Sequence, residues 1–211
     1  MNTKGILIVV SGFAGVGKGT LMKRLVQNYD NYALSVSMTT RSPRLGEENG
    51  RDYFFVTKEE FEKKIADKGM IEHACYCGNY YGTPKFYVEE QIAAGKDVIL
   101  EIEIQGAMKV KKQFPEAVLV YVLPPSAAEL EARLRGRATE TEEKIRERLS
   151  RAATESEGLE KYDYIIVNDD LDECEKRLHG ILQAAHYTPL RNEEFIHTLR
   201  EELKGFMKGE R

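Results

Sequence analysis

A glycine-rich loop near the amino terminus has the residue types and spacing of a phosphate-binding loop. Gly12, Gly15 and Gly17 precede Lys18, and the loop follows an apolar run and opens a helical pattern. Glycines let the backbone curl until successive N–H groups point at one anion, and the start of the next helix adds a partial positive charge. The lysine supplies a mobile ammonium group for nucleotide phosphates. The alternative, a glycine-rich structural turn, does not account for the lysine and its context.

The residue after Lys18 departs from the usual phosphate loop. Gly19 stands where a Ser or Thr hydroxyl commonly contacts Mg²⁺, and Thr20 follows it. This departure puts direct ligation of the metal by the loop in question, but not phosphate binding. We expect Mg²⁺ to be held mainly through waters and phosphate oxygens, because this ion gives up its waters reluctantly.

The elements that must position this loop alternate between strands and helices. Near-continuous apolar runs, typical of parallel strands covered on both faces, occupy Ile6–Val10, Val98–Ile102, Val118–Leu123, Tyr164–Val167 and, more weakly, Tyr32–Ser37. Helical patterns lie between them at Lys18–Asn28, Gln105–Gln113, Ala127–Arg135 and Leu171–His186. The alternation predicts a three-layer α/β fold around a central five-stranded parallel sheet, with ligands at the carboxyl ends of the strands.

Two segments interrupt this alternation. Ser37–Tyr87 is rich in Gly, Tyr and short turns, and it predicts a small mixed β lobe with one helix near Lys58–Lys68. Arg133–Gly158 is a charged helical stretch, for which a solvated helix face is the ordinary interpretation. At the carboxyl end, Asn192–Lys208 has apolar residues at helical spacing, and we expect it to pack on the body, with a subunit contact as the alternative.

Composition excludes several classes of protein. The chain has 211 residues, 42% of them hydrophobic, and a net charge of −4, which argues against a nucleic-acid-binding protein. The early apolar run is too short for a membrane span or a secretory signal, so we expect a cytoplasmic protein without membrane contact. The three cysteines form no disulfide framework, and His73 beside Cys75 and Cys77 lacks the further ligands of a metal site.

A second basic group follows the first strand–helix unit. Arg41 and Arg44 lie three apart in a loop, so their guanidinium groups can converge on one phosphate, and Tyr53 and Tyr81 can add hydroxyl donors. A solvated surface is the alternative for such an arginine pair. The guanine-binding motif of GTPases, Asn/Thr-Lys-x-Asp, is absent from the chain.

From the phosphate loop to about Asp170, the order and spacing of motifs resemble the guanylate kinase family. The stretches that carry the resemblance are Ser37–Arg44, Asn49–Tyr53, Gly78–Thr83, Arg133–Glu143 and Ile166–Asp170. The resemblance implies a P-loop nucleoside monophosphate kinase of purine nucleotide metabolism, with a core, a GMP-binding lobe and an arginine-bearing lid. It implies Mg²⁺-dependent phosphoryl transfer from ATP to GMP, giving ADP and GDP, with dGMP as a further candidate acceptor.

The resemblance also assigns site residues, position by position. The catalytic residues it implies are Lys18, Arg44, Arg133, Arg137 and Arg148. The residues it implies for ATP are Gly12, Phe13, Ala14, Gly15, Val16, Gly17, Lys18, Gly19, Thr20 and Asn168. Those it implies for GMP are Ser37, Arg41, Arg44, Tyr53, Glu72, Tyr81, Thr83 and Glu103, and Glu101 is the candidate for a water-mediated Mg²⁺ contact.

The hydrogen-bond donors of guanine fit recognition by a carboxylate at Glu72. Guanine presents N1–H and the N2 amino group as adjacent donors, which two carboxylate oxygens can accept, whereas adenine offers an acceptor at N1. Without the resemblance, a surface carboxylate at a strand end would be the simpler interpretation of Glu72. Glu101 and Glu103 stand where the family commonly has Asp, and their alternate spacing predicts that both lie on one face of a strand end.

Boundaries follow from the same resemblance, and they describe one domain over residues 1–211. Its core comprises residues 1–36, 88–132 and 158–211, its GMP-binding lobe residues 37–87, and its lid residues 133–157. Thr139 or Thr141 can cap the lid helix, and Asp169 and Asp170 can cap the helix after the last strand. Lid closure would exclude water, and no general base is required because the GMP phosphate is already nucleophilic.

Two alternatives remain beside the enzyme. One is a non-catalytic module of guanylate kinase type that binds protein partners, although such modules typically have damaged phosphate loops. The other is a monophosphate kinase with a different base choice, and Glu72 with Thr83 distinguishes it. The sequence leaves the oligomeric state, monomer or homo-oligomer, undetermined.

Overall fold

The computed structural model describes residues 4–76, 78–136 and 141–207. In chain order, its strands are β1 (Leu7–Gly12), β2 (Tyr32–Leu34), β3 (Met38–Thr39), β4 (Phe54–Phe55), β5 (Met70–Tyr76), β6 (Asn79–Pro84), β7 (Asp97–Glu101), β8 (Val118–Leu123) and β9 (Tyr164–Val167). Its α-helices are α1 (Lys18–Asn28), α2 (Lys58–Ala66), α3 (Lys85–Ala93), α4 (Ile104–Gln113), α5 (Ala127–Gly136), α6 (Glu142–Ser156), α7 (Leu171–Ala185) and α8 (Glu193–Met207). Short 3-10 helices span Leu159–Lys161 and Pro189–Asn192.

The larger sheet has five parallel strands, as the sequence predicts, and their order is β2-β7-β1-β8-β9. β1 lies at its centre, where Val10 pairs with Glu101 on one side and with Val120 on the other. Because the strands are parallel, their carboxyl ends meet at one edge. The glycine-rich loop and Glu101 therefore lie side by side.

Both faces of this sheet are covered. Ile8, Val9 and Val10 in β1 are fully buried, and neighbouring side chains point to opposite faces. One face packs against α1 and α7, which contribute Leu21 and Leu178, among others, to a single apolar cluster. The other face packs against α4, α5 and α6. These two covered faces explain why the strand residues form near-continuous apolar runs.

The smaller sheet is mixed and has four strands in the order β4-β3-β6-β5. β3 is parallel to β4, whereas β6 is antiparallel to both β3 and β5. α2 packs on this sheet, and a capping box between Thr57 and Glu60 fixes its start. Phe61 is fully buried in a small core with Met38 and Met70. The predicted β lobe and its helix are therefore confirmed.

Several predicted boundaries differ from the structure. β1 begins one residue later than predicted and continues to Gly12, while β2 ends at Leu34 instead of Ser37. The helix α3 was not predicted from the sequence, and the predicted lobe boundary at residue 87 falls inside it. The apolar residues of α3 do not recur at helical spacing, and only Val88 among them is fully buried. A sequence without this periodicity gives little indication of a helix. Contacts with β6 and β7 stabilise α3 instead.

The prediction that the carboxyl-terminal helix packs on the body is wrong. Phe195, Leu199, Leu203 and Phe206 are 43–61% exposed along α8. The start of α8 is fixed by the Asn192 side chain, which donates to two backbone carbonyls of the preceding turn. Within residues 4–76, 78–136 and 141–207, no helix has the length and apolar character that crossing a membrane requires.

Candidate functional site

The glycine-rich loop connects β1 to α1 and curls through two left-handed residues. Gly15 has φ +91° and Gly17 has φ +94°, a region that side-chain-bearing residues rarely adopt. Within the loop, the Val16 amide donates to the Phe13 carbonyl over 3.2 Å. Lys18 Nζ donates back to the Gly12 carbonyl. The loop therefore has the compact curled backbone of a phosphate site, with its lysine folded over it.

Two residues from other elements hold the far side of the loop. The buried Asn168, directly after β9, donates from Nδ2 to the Val16 carbonyl over 2.8 Å. Arg133 on α5 donates to the Val16 carbonyl (3.3 Å) and to the Asn168 carbonyl (3.0 Å), while its Nε pairs with Glu129 at 2.8 Å. Arg133 thus lies against the loop, at the base of the predicted lid segment, and Asn168 supports the loop backbone.

A cavity of about 480 Å³ joins this loop to α6. Its walls include Lys18 from the loop, Glu101 and Glu103 from the end of β7, and Arg148 and Arg151 from α6. Basic and acidic groups from three distant parts of the sequence therefore meet at the carboxyl edge of the sheet. Of the predicted lid arginines, Arg148 lines this cavity, whereas Arg137 lies outside the described residues.

The predicted second phosphate site forms a cluster of basic and aromatic groups on the small sheet. The Arg41 guanidinium lies 5.4 Å from the centre of the Tyr53 ring, and the Tyr53 and Tyr81 rings pack edge to face at 6.2 Å. Arg44 is exposed and contributes its backbone amide, which donates to Glu47 over 2.8 Å. The structure therefore brings together three of the four predicted residues, with the Arg44 side chain at the exposed rim.

Glu47 is a component of this cluster that the sequence analysis missed. Its two oxygens accept from two nitrogens of Arg41, over 2.9 and 3.0 Å, and both side chains are at least four-fifths buried. The hydrogen bond from Arg41 holds the pKa of the Glu47 carboxyl below its ordinary value. The available signal was an acid three residues after Arg44 in the same loop, but spacing alone does not distinguish it from Glu48.

Glu72 and Thr83 face each other across the antiparallel pair β5–β6. The Thr83 hydroxyl donates to Glu72 Oε1 over 2.9 Å, and Thr83 is fully buried. Burial raises the pKa of the Glu72 carboxyl, and the hydrogen bond from Thr83 and the charge of Lys109 oppose this rise. The other oxygen, Oε2, lies beside Gly106 in the first turn of α4, 3.6 Å from where a Cβ would stand.

The remaining predicted residues lie around this pair. Ser37 is half-buried just before β3, and its carbonyl accepts from the Phe54 amide over 2.8 Å. Glu103 precedes α4 as its N-cap residue, so it lies outside β7, and the prediction that it shares a strand face with Glu101 is wrong. Glu72 lines a shallow pocket with His73 and Lys109, separate from the cavity beside Lys18. Among the described residues, His, Cys, Asp and Glu form no cluster of three or more that could hold a metal.

Comparisons with known proteins agree with this geometry. The family model for guanylate kinase matches residues 4–185. The chain belongs to the guanylate kinase family. The guanylate kinase of Halalkalibacterium halodurans is 50% identical over 198 residues, which cover 94% of this chain and 97% of that protein. The guanylate kinase of Listeria innocua is 45% identical over 206 residues, covering 97% and 99% of the two chains.

A solved structure shows the same family fold. The crystal structure of guanylate kinase from Anaplasma phagocytophilum superposes with a TM-score of 0.70 at 35% identity, covering 90% of this chain and 91% of that one. The guanylate kinase family match spans the phosphate loop, both sheets and α6, and it ends before α8. The resemblance inferred from the sequence motifs is therefore confirmed.

Gly17 and Gly19 provide a matched test of the loop. A Cβ on Gly17 would lie 2.7 Å from Asn168 Nδ2 at a left-handed φ, whereas a Cβ on Gly19 would meet no atom within 4 Å. We expect Gly17→Ala to lower the free energy of unfolding by about 1–3 kcal/mol. Gly19→Ala, in the first turn of α1, should leave it unchanged or raise it by up to about 1 kcal/mol. Urea unfolding measures both, and equal stabilities of the two variants would contradict the loop geometry.

Proposed function

We propose that this protein is a guanylate kinase, which transfers the terminal phosphoryl group of ATP to GMP and releases ADP and GDP. The cavity that joins the phosphate loop to α6 carries this proposal, because Lys18 and Arg148 both line it. Phosphoryl transfer needs aligned reactants and neutralised charge more than covalent help from the protein. An ammonium group from the loop and a guanidinium group from α6 supply that neutralisation.

ATP binds on the loop side of this cavity. Backbone N–H groups of residues 12–20 cradle its phosphates, and Lys18 turns from the loop carbonyls towards them. Asn168 lies at the outer side of the loop, where the adenine of ATP would lie, and its own side chain is engaged in supporting Val16. Arg133 acts from behind the loop, while Arg148 and Arg137 supply positive charge from the lid.

GMP binds between the small sheet and the core. Its phosphate is held by Arg41, Arg44, Tyr53 and Tyr81. Their two guanidinium groups and two phenol hydroxyls can donate hydrogen bonds to the oxygens of a phosphate dianion. Its base is held by residues with hydroxyl or carboxylate acceptors. Those residues are Ser37, Glu72, Thr83 and Glu103. The hydrogen bond from Thr83 orients Glu72 and uses one acceptor site of Oε1, so both carboxylate oxygens can still accept from the two guanine donors.

Mg²⁺ fits beside Glu101. This exposed carboxylate lines the same cavity as Lys18, and among the described residues it belongs to no group of three or more His, Cys, Asp or Glu arranged to hold a metal. Mg²⁺ is commonly held by one or two carboxylates together with substrate phosphates and waters, so one carboxylate at this edge suits it. When bound, Mg²⁺ would neutralise phosphate charge, and Glu101 would hold it through water.

The chain is one domain with three functional parts. The GMP-binding lobe begins at residue 37 and ends before α3, the lid comprises residues 133–157, and the core comprises the rest of the chain. Closing the lid over the two nucleotides would exclude water and prevent hydrolysis of ATP. Arg148 would approach the transferred group in that movement.

The first experiment measures ADP formation from ATP and Mg²⁺ with GMP, dGMP, AMP, CMP, UMP or dTMP as acceptor. We expect turnover with GMP, with or without dGMP, and none with the other four. Lys18→Ala should reduce kcat by about 10²–10³, as removal of one electrostatic donor does elsewhere, while Lys23→Ala, exposed on the same helix, serves as the control. Turnover with another acceptor would contradict the base assignment, and binding of GMP without turnover would indicate a non-catalytic module.

The raised pKa of Glu72 predicts how GMP recognition depends on pH. The protonated carboxyl cannot accept both guanine donors, and burial favours this form at a higher pH than in an ordinary Glu. We therefore expect KM for GMP to rise on acidification before the pH reaches about 4.3, while KM for ATP changes less. In Glu72→Gln the KM for GMP should be high and insensitive to pH. A pH dependence retained in Glu72→Gln would assign it to another group.

Glu72→Gln should leave the fold stable. A carboxyl whose pKa is raised on folding binds its proton more tightly in the folded state, so its ionised form costs stability above that pKa. Removing this charge at neutral pH, with the glutamine oxygen still accepting from Thr83, should not lower the unfolding midpoint.

Glu47 is expected to orient Arg41 for the GMP phosphate. In Glu47→Gln one acceptor oxygen and the charge are lost, so Arg41 is held by fewer bonds. We expect KM for GMP to rise about tenfold, the effect of losing about 1.4 kcal/mol, with little change in KM for ATP. Glu48→Gln is the matched control, because Glu48 is exposed and pairs with Arg51. An unchanged or lower KM in Glu47→Gln would show that Glu47 does not assist binding.

A further inference from the structure

Glu103 directs its carboxylate away from its own helix. It is the N-cap residue of α4, yet its side chain caps no amide in the first turn. Instead, Glu103 Oε2 accepts from Arg151 of α6, across the mouth of the cavity. A short N-cap acid would commonly bond its own helix, whereas this longer side chain connects two elements that are 48 residues apart in sequence.

The Arg151 guanidinium is held by a second carboxylate through another of its nitrogens. Its Nε donates to Glu155 Oε1 over 2.9 Å, and the other oxygen of Glu155 accepts from the Tyr121 hydroxyl over 3.3 Å. Tyr121 belongs to β8 and is buried. A continuous set of hydrogen bonds therefore runs from the central sheet through α6 to Glu103.

We propose that Arg151 is a positioning residue that fixes the Glu103 carboxylate for the 2-amino group of the purine acceptor. This inference rests on the proposed guanylate kinase function and on the place of Glu103 in its base site. Arg151 occupies one oxygen, Oε2, and orients the carboxylate so that Oε1 accepts from the amino group. A guanidinium bonded through two of its nitrogens suits this role better than a single ammonium, because its donors are rigidly arranged.

The same residue connects the base site to the lid. Arg151 follows Arg148 by three residues on α6, so the two side chains lie one turn apart on one side of the helix, and both line the cavity. The bond between Arg151 and Glu103 therefore connects the base site to the turn of α6 that follows Arg148. A purine that bonds Glu103 steadies this connection, and one without the amino group does not.

The exposure of the pair separates this role from a structural one. The side chains of Arg151 and Glu103 are 52% and 67% exposed, and ion pairs of this kind contribute little to folding. Breaking the pair should therefore change the unfolding midpoint little. A change in base discrimination would then report positioning.

The test compares GMP with IMP, which lacks the 2-amino group, as acceptors for Arg151→Gln, Arg151→Lys and Glu103→Gln. The ratio of kcat/KM for GMP to that for IMP should fall about tenfold in Arg151→Gln, as one hydrogen bond to a charged acceptor is lost. Arg151→Lys should recover part of the ratio. Adding Arg151→Gln to the Glu103→Gln variant should lower the ratio no further, because both substitutions remove the same contact.

The matched control is Arg135→Gln, whose arginine pairs with Glu131 and Glu142 away from the cavity. Its ratio should equal that of the wild type. An unchanged ratio in Arg151→Gln would overturn the proposal, whether or not kcat falls, and so would an unchanged ratio in Glu103→Gln. Failure of the proposed function is a different result, namely no turnover of GMP by the wild-type protein.

Discussion

The left-handed curl of the loop between β1 and α1 constrains the arrangement of the rest of the site. Gly17 can adopt φ +94° because it has no Cβ, and Asn168 Nδ2 occupies the space that a Cβ would need. Asn168 is brought there by β9, and Arg133, which contacts the same carbonyl, is brought there by α5. The loop thus depends on two elements far away in sequence. Their close approach in turn depends on Gly17 having no side chain.

A second regularity is that three acids in or near the site are each oriented by a donor from another residue. Arg41 holds Glu47, Thr83 holds Glu72 and Arg151 holds Glu103. A glutamate side chain loses considerable rotational freedom when it is fixed, and that cost falls on binding if the ligand must impose it. Fixing these side chains in the folded protein moves the cost to folding, so that substrates meet groups already in place.

The sequence predicted the large sheet and the phosphate loop, because each has a local pattern, whereas the assignment of site residues came from the family resemblance and stays a prediction. The strands of the large sheet form apolar runs, and the loop has its glycines and lysine within seven residues. The helix α3 and the acid Glu47 have no such local pattern. The first is stabilised by its contacts with β6 and β7, and the second differs from Glu48 only in facing Arg41.

The roles of individual arginines were harder to predict for the same reason. Arg133 and Arg148 fall in one charged stretch of the sequence, yet the first bonds the back of the phosphate loop and the second lines the cavity in front of it. The packing of α5 against the loop and of α6 against the cavity decides this difference, and charge patterning does not report such packing. Of the two predicted caps of the lid helix, Thr141 is confirmed, because its hydroxyl accepts from the Lys144 amide, whereas Thr139 lies outside the described residues.

The packing of α6 shows which contacts place the helix and which act on its side chains. Ile145 and Ala152 are buried, and Leu149 packs beside them while partly exposed. These residues recur at intervals of three and four, so one apolar stripe docks α6 on the core. The exposed pair between Arg151 and Glu103 adds little to that docking. Its effect is therefore on the orientation of the two side chains at the cavity, and the apolar stripe keeps Arg148 one turn away from them.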